Sequence, residues 1–134
     1  MSWKPTDKEV ESLIRLPGAK RYEYFVKRVV DMEELWGLWE DGWCMLGDPQ
    51  DRQCIPVWPH PRYAQLCATD DWARAEPRSI PLDKWLESWT PGMQGDGIFV
   101  AVFPTPTLSA VVVPPERLEA DLRRELLKYE VPDE

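Results

Sequence analysis

The sequence contains no hydrophobic run long enough to cross a membrane. Its longest uninterrupted apolar stretch runs from Ile98 to Pro104, whereas a membrane-spanning helix needs about 20 consecutive apolar residues. The segment from Met1 to Asp7 also lacks the apolar stretch of a signal peptide. We therefore expect a cytoplasmic protein that has neither a membrane segment nor a targeting segment.

Cysteine is scarce: the chain has Cys44, Cys54 and Cys67. They form no CxxC pair and an odd number cannot all pair within one chain, so the sequence predicts free thiols in a reducing compartment. Two alternatives depend on the single histidine, namely a nucleophilic thiol beside His60 and a metal site of His60 with Cys54 and Cys67. Both are disfavoured, because the thiols fall in apolar segments and the spacing is unlike that of zinc sites. We expect no metal and no cofactor.

Motifs that mark common enzyme classes are missing. The sequence contains no GxGxxG, GxxxxGKS/T, HExxH or GxSxG pattern. Gly95-Asp96-Gly97 precedes a predicted strand, whereas a phosphate-binding loop follows a strand and opens a helix, so we interpret it as a turn. Nothing completes a catalytic set around His60, which favours an N-cap or loop role over acid–base catalysis. Whether the protein is an enzyme stays open, with the balance against it, and we assign no catalytic residue.

Positive charge is in short supply. The chain has 16 Lys and Arg against 24 Asp and Glu, a net charge of −8. The charges of residues 1–35 cancel, so the acidic excess lies in residues 36–134. An acidic surface repels phosphate backbones and anionic headgroups, which disfavours nucleic-acid and membrane partners. A protein partner is compatible with this charge, and the sequence does not determine the oligomeric state.

Apolar residues are plentiful. They make up 43% of the 134 residues, enough for one core in a domain of ordinary size. The fourteen prolines fall at predicted element boundaries and form no linker. We expect a single domain over residues 1–134, with an N-terminal helical pair over 1–34 and a sheet-and-helix body over 35–130.

Helical patterns occur along the whole chain. Thr6 to Glu9 matches a capping box, and the helix that follows is expected to end at Pro17-Gly18. Further helices are predicted over 19–34, 63–68, 82–93 (interrupted by Pro91) and 116–130. The last helix is expected to face the core with Leu118, Leu122, Leu126 and Tyr129, and residues 131–134 are expected to fray.

Strand patterns recur at 36–39, 43–46, 53–58, 79–82, 98–103 and 108–113. The first three are predicted to form a meander, because Asp41-Gly42 favours a tight hairpin. Pro81 makes the fourth an edge segment, and the last two predict an antiparallel pair. The predicted fold class is α/β of the α+β type: a mixed, mostly antiparallel sheet of about five strands with helices packed on it.

Tryptophan is present in excess, with eight residues. Trp36 and Trp39 have opposite parity in a strand, so one of them is expected to point away from the core. Trp85 and Trp89 are four residues apart and line one helical stripe. Core packing is the favoured interpretation of the excess, and the alternative is a recognition surface that exposes some of these rings.

A candidate binding surface lies where the strands that end at Trp58 and Phe103 run into proline-bounded turns. His60 and Arg62 follow the first strand and offer a titratable donor and a planar cation beside the Trp58 ring. Thr105 lies in the second turn. If both turns lie at one edge of the sheet, they would flank a groove suited to a peptide or a small anion. The alternative is that the prolines only end the strands and protect the edges.

Several short runs carry a family resemblance: Pro56-Val57-Trp58-Pro59-His60-Pro61, Val102-Phe103-Pro104-Thr105-Pro106, Trp36-Gly37-Leu38, Asp41-Gly42-Trp43 and Leu82-Asp83-Lys84-Trp85-Leu86. Together they resemble the bacterial family catalogued as domain of unknown function 2750, over about residues 20–130. The resemblance implies a bacterial cytoplasmic setting and no catalytic residues. Pro56-Val57-Trp58 is also distantly similar to the N-terminal domain of the SseB family linked to type III secretion, which implies a protein-binding module.

Three functions are compatible with these features. The leading hypothesis is a non-enzymatic protein-interaction or regulatory module, because no catalytic set accompanies the tryptophan excess. The main alternative is a small-molecule-binding protein or an undiscovered enzyme that uses the corner formed by Trp58, His60 and Arg62. A third is an immunity-type protein that masks a basic toxin, for which the acidic charge is the only support.

Overall fold

A computed structural model describes residues 3–107 and 109–129 of the chain. The α-helices are α1 (Asp7–Ile14), α2 (Gly18–Met32), α3 (Pro61–Leu66), α4 (Leu82–Lys84), α5 (Thr90–Asp96) and α6 (Pro115–Leu127). The strands are β1 (Glu34–Trp39), β2 (Leu46–Gly47), β3 (Gln53–Val57), β4 (Glu76–Pro81), β5 (Phe99–Val102) and β6 (Val111–Val113). None of the described helices is both long and apolar enough to cross a membrane.

The N-terminal pair of helices forms as its sequence predicts. The Thr6 hydroxyl oxygen accepts a hydrogen bond from the Glu9 amide at 3.1 Å, which confirms the cap of α1. Helix α2 ends at Met32, two residues before the predicted end. Glu33 adopts a left-handed conformation with φ of 59°, and Glu34 already belongs to β1. The left-handed residue stops the helix and turns the chain into the strand.

Within the described residues, six strands form two sheets, which confirms a mixed α+β fold. One sheet pairs β1 with β4 in antiparallel fashion, and the other has the order β2-β3-β5-β6. Strands β3 and β5 are parallel, whereas β2 and β6 are antiparallel to their neighbours. An antiparallel bridge joins the two sheets, with the Trp36 amide 2.9 Å from the Trp58 carbonyl and the Trp58 amide 2.8 Å from the Trp36 carbonyl.

The predicted meander of residues 36–58 is half correct: β2 and β3 form its second antiparallel pairing, but the first pairing is wrong. The turn forms, with positive φ at Asp41 and Gly42, but the hairpin extends only to a Trp39–Trp43 bridge. β1 pairs along its length with β4 instead, and β3 pairs with β5. A turn signal predicts a local reversal of the chain, and burial across the whole domain decides which strand completes the ladder.

The C-terminal part matches its prediction more closely. β5 and β6 form the expected antiparallel pair, although the predicted first residue of the second strand, Leu108, lies outside the described residues. In α6, Leu118 and Leu122 are fully buried and Leu126 is half-buried. Tyr129 is 54% exposed, so its predicted core position is wrong, because the helix ends at Leu127. The fraying predicted for 131–134 concerns residues outside the described ranges.

A π-helical turn, Trp85–Trp89, joins α4 to α5, so Pro91 does not break the helical path as predicted. Pro91 has no amide to donate, and it lies in the first turn of α5, where that loss is tolerated. The Trp85 carbonyl accepts the Thr90 amide, as the wider turn requires, and also accepts the Thr90 hydroxyl at 3.0 Å. Gly97, with φ of 69°, caps α5, so Gly95 and Asp96 belong to the helix and not to the predicted turn.

One buried cation connects the elements around the core. The Arg21 side chain is 3% exposed and donates to the Phe103, Leu16 and Ser109 carbonyls at 3.1, 2.7 and 3.1 Å. A buried charge is tolerated when such hydrogen bonds replace those to water. Burial lowers the pKa of Arg21 from its ordinary value. The guanidinium thereby fixes the chain that follows β5 against α2.

Candidate functional site

The two proline-bounded turns lie side by side because β3 and β5 are parallel. Both strands end at the same edge of the sheet, and the Phe103 amide donates to the Val57 carbonyl at 2.8 Å. The Trp58 indole N–H donates to the Pro104 carbonyl at 2.9 Å and so ties the first strand to the second turn. The juxtaposition on which the predicted groove depended is present.

The space between the two turns is nevertheless filled with side chains. Trp58 and Phe103 are completely buried, and Thr105 is 6% exposed. The Phe103 ring packs against Tyr63 with centroids 4.9 Å apart, and the Thr105 hydroxyl lies 3.0 Å from that of Thr107. These three predicted site residues form the wall behind the surface. His60 and Arg62, both half-buried, are the members of the predicted set that reach it.

His60 acts as the N-cap of α3. Its Nδ1 accepts the Arg62 amide at 3.0 Å, and its ring packs edge-on against Trp3 with centroids 4.9 Å apart. Burial lowers the pKa of His60, and a hydrogen bond with the Trp3 backbone opposes that shift. A neutral imidazole can accept at Nδ1, so the lowered pKa maintains the cap. The predicted N-cap role is confirmed.

Arg62 holds the N-terminal segment against α3. One guanidinium nitrogen donates to the Pro5 carbonyl at 2.8 Å, and another donates to the Asp7 carboxylate. The partners lie more than fifty positions earlier in the chain. Sequence reasoning missed this contact, because no local pattern links Arg62 to Pro5.

A cavity opens beside this corner, and we call it the Trp36 pocket. Its volume is about 430 Å³, and its apolar wall includes Trp3, Trp36, Met32 and three prolines. The prolines are Pro5, Pro59 and Pro61, and His60 and Arg62 complete the wall. Lys4 and Glu34 supply opposite charges. The pocket therefore offers a rigid apolar cleft with little net charge.

The tryptophans divide between core and surface. Trp58 and Trp85 are fully buried, whereas Trp36 and Trp39 are both half-buried, so neither of the latter pair points wholly outwards. The Arg78 guanidinium covers the Trp39 ring at 4.0 Å. A second, shallower cavity of about 420 Å³ lies elsewhere, and its lining includes Trp43, Met45, Trp89 and Ile98. Core packing accounts for part of the tryptophan excess, and surface aromatic clusters account for the rest.

The thiols are poor nucleophiles. Cys44, Cys54 and Cys67 are all free, as predicted, and the last two are buried. Burial raises the pKa of Cys54 and raises the pKa of Cys67 to about 11. Thiols with such pKa values stay protonated at neutral pH and react slowly. Across residues 3–107 and 109–129, no cluster of three His, Cys, Asp or Glu side chains could hold a metal ion.

Comparison with known proteins gives one family match. The family described as "Protein of unknown function (DUF2750)" matches residues 22–122. The matched range includes Trp36, His60 and Arg62 but not the Trp3–Pro5 side of the pocket. No curated protein and no solved structure gives a match. The distant similarity to the SseB family stays a prediction.

Proposed function

The chain belongs to the family of proteins of unknown function DUF2750, and we propose that it is a non-enzymatic interaction module. On this proposal the Trp36 pocket receives a large apolar side chain from a short segment of a partner protein in the cytoplasm. The observation that carries the proposal is the lining of the pocket, in which two tryptophans and three prolines surround a cleft of about 430 Å³.

The size and stiffness of the pocket support this assignment. Pockets that hold small ligands or anchoring side chains span roughly 300–1,000 Å³ and are mostly apolar. Proline fixes the backbone around the cleft, so binding does not have to order this backbone and avoids that entropy cost. Interfaces draw most of their affinity from a few buried apolar or aromatic anchors in such pockets.

Charge favours an apolar anchor over a small anion. Arg62 already donates to Pro5 and Asp7, so its guanidinium is engaged within the protein. Of the other charged residues at the pocket, Lys4 and Glu34 oppose each other. An anion would gain little binding free energy there. An aliphatic or aromatic side chain would gain more, because it would be transferred from water to an apolar wall.

The chemistry of the described residues supports a binding role rather than catalysis. His60 accepts the Arg62 amide at Nδ1, and burial lowers its pKa. A general base needs a free acceptor near the reacting group, and a nucleophilic cysteine needs a lowered pKa. Burial instead raises the pKa of Cys54 and Cys67.

Selection from a displayed library of random short peptides tests the proposal. We expect the selected peptides to share one large apolar residue and to bind Met32→Glu at least about tenfold more weakly, because the new carboxylate enters the apolar wall. Met45→Glu is the matched control, since Met45 is also half-buried but lines the other cavity. Failure to select any peptide, or equal weakening by both substitutions, would contradict the assignment.

A further inference from the structure

Another cavity lies away from the Trp36 pocket and has no role in the function proposed above. It measures about 710 Å³ and is bounded by α2, α6 and the whole of β6. We call it the β6 groove. We infer that it is a second interaction surface, which binds an acidic, extended segment of a partner protein as an added strand on β6.

Strand β6 is at the edge of its sheet, and no other described strand pairs with its outer side. The Phe103 amide donates to Val57 of β3, and alternate residues of a strand bond to opposite neighbours, so Val102 faces β6. Val102 is in register with Val111, which therefore bonds to β5. The next residue, Val112, turns its N–H and C=O to the outer edge. No hydrogen bond links these groups to another described residue.

The groove reaches this outer edge and not just one face of the sheet. Side chains of consecutive strand residues point to opposite faces, yet Val111, Val112 and Val113 all line the cavity. A space that runs beside the strand accounts for contact with all three. Val111 and Val112 are half-buried, so an apolar edge is open to a partner. Proteins usually cover or charge such edges, and an uncovered one is a template for strand addition.

Most of the exposed charges around the groove are basic, and the exception is Glu23, which is 62% exposed and lies 4.0 Å from Lys20. Arg117, Arg124 and Lys128 have side chains that are 65, 70 and 63% exposed. The two acids on α6 are largely withdrawn from solvent: Asp121 is 15% exposed and Glu125 is 12% exposed. Each acid already pairs with these bases, and the Tyr22 hydroxyl also donates to Asp121 at 2.5 Å.

This basic rim stands out in a chain with a net charge of −8. It favours a partner of opposite charge, since complementary potentials steer association and exclude like-charged partners. A symmetric pair of β6 edges from two copies would bring two basic rims together, which disfavours self-pairing. An acidic peptide with β-branched residues at alternate positions satisfies the edge, the apolar floor and the rim together.

The first experiment tests charge and uses soluble peptides of about eight residues that alternate Glu with Val or Thr. We expect fluorescence anisotropy to detect binding that weakens with salt, and Arg124→Glu to reduce affinity about tenfold. Arg123→Glu is the matched control, because Arg123 is adjacent on α6, is similarly paired and does not line the groove. Absent binding, or equal losses in both variants, would overturn the proposal.

The second experiment tests the backbone contact. Val112→Pro removes the outward amide, and we expect it to abolish binding, whereas Val112→Ala keeps the amide and most of the affinity. Methylating alternate backbone nitrogens of the peptide makes the same test without changing the protein. Binding that survives N-methylation in either register would exclude strand addition. Dimerisation of the free protein that Val112→Pro abolishes would identify a second copy as the occupant instead.

Discussion

His60 and Arg62 are two positions apart, and both are committed to contacts within the protein. His60 caps α3, and Arg62 binds the backbone of the N-terminal segment. Their side chains therefore shape the Trp36 pocket rather than supply reactive groups to it. Both residues therefore have structural roles, and the cleft lies beside them.

Replacement of His60 should show that its cap contributes to the free energy of unfolding in a pH-dependent way. Because the folded pKa is lowered, the unfolded chain binds more protons between the two pKa values, so this contribution is fully present above the ordinary pKa of 6.5 and is lost as pH falls from there through the lowered folded pKa. His60→Asn keeps a cap and should remove this part of the pH dependence. His60→Ala should cost about 1 kcal/mol at neutral pH.

Urea unfolding of the wild type and both variants between mildly acidic and neutral pH measures this prediction. The wild-type free energy of unfolding should fall more steeply towards acid than that of His60→Asn. Parallel curves for the two proteins would show that His60 titrates alike in the folded and unfolded states.

Arg21 should be the most sensitive charged residue in the chain. In Arg21→Lys the donors of the side chain all lie on one nitrogen atom, which cannot span the carbonyls that three guanidinium nitrogens reach. Buried acceptors then lose their donors, and we expect the free energy of unfolding to fall by about 3 kcal/mol. Lys20→Ala on the same helix, at an exposed position, should change stability by no more than about 0.5 kcal/mol. Chemical denaturation measures both, and similar losses would contradict the structural role of Arg21.

Whole elements owe their positions to burial. α6 contacts α2, α5 and β5, and its fully buried Leu118 and Leu122 belong to the common core. Its other faces carry the ion pairs and the basic rim of the β6 groove. The same helix thus stabilises the sheet and forms one side of the second proposed surface.

A pair of substitutions separates these two roles of α6. Leu122→Ala should lower the free energy of unfolding by about 2–5 kcal/mol, because it leaves a cavity at a completely buried position. Leu127→Ala, at a position 62% exposed, should change it by less than about 0.5 kcal/mol. Thermal melts of both variants provide the measurement. A small effect of Leu122→Ala would mean that α6 is not part of the cooperative core.

The molecule as a whole is acidic, with a basic rim at one groove. Its net charge of −8 repels a long polyanion, which extends over many ångströms of the surface. The four basic side chains that line the β6 groove act only on a short segment bound there. The two proposed surfaces share no lining residue, so each can fail independently. Variants at Met32 test one, and variants at Arg124 and Val112 test the other.

The overall charge predicts weak binding to nucleic acids. We expect duplex and single-stranded DNA or RNA to show no submicromolar affinity at physiological salt, because too few phosphates would be neutralised. Filter binding or anisotropy over a range of salt concentrations checks this. Tight binding with a steep salt dependence, lost in Arg124→Glu, would instead make the basic rim a nucleic-acid site.

Local patterns in the sequence determined the elements of this protein. The capping box at Thr6, the helical stripe through Leu118 and Leu122, and the proline that opens α3 act over a few residues. Their hydrogen bonds and side-chain spacings are local, so the sequence is sufficient to predict them. The α+β class follows from the succession of these elements, and the free state of the thiols follows from their number and spacing.

Tertiary structure decided which elements meet. β1 pairs with β4 although a strong turn signal joins it to residues 43–46, because pairing over the full strand outweighs one short hairpin. The contact of Arg62 with Pro5 and the opening of the Trp36 pocket depend on segments far apart in the chain. The open edge of β6 has the same origin, since a strand becomes an edge only when the partners of all the others are known. Non-local burial selects among pairings that are equivalent in local pattern.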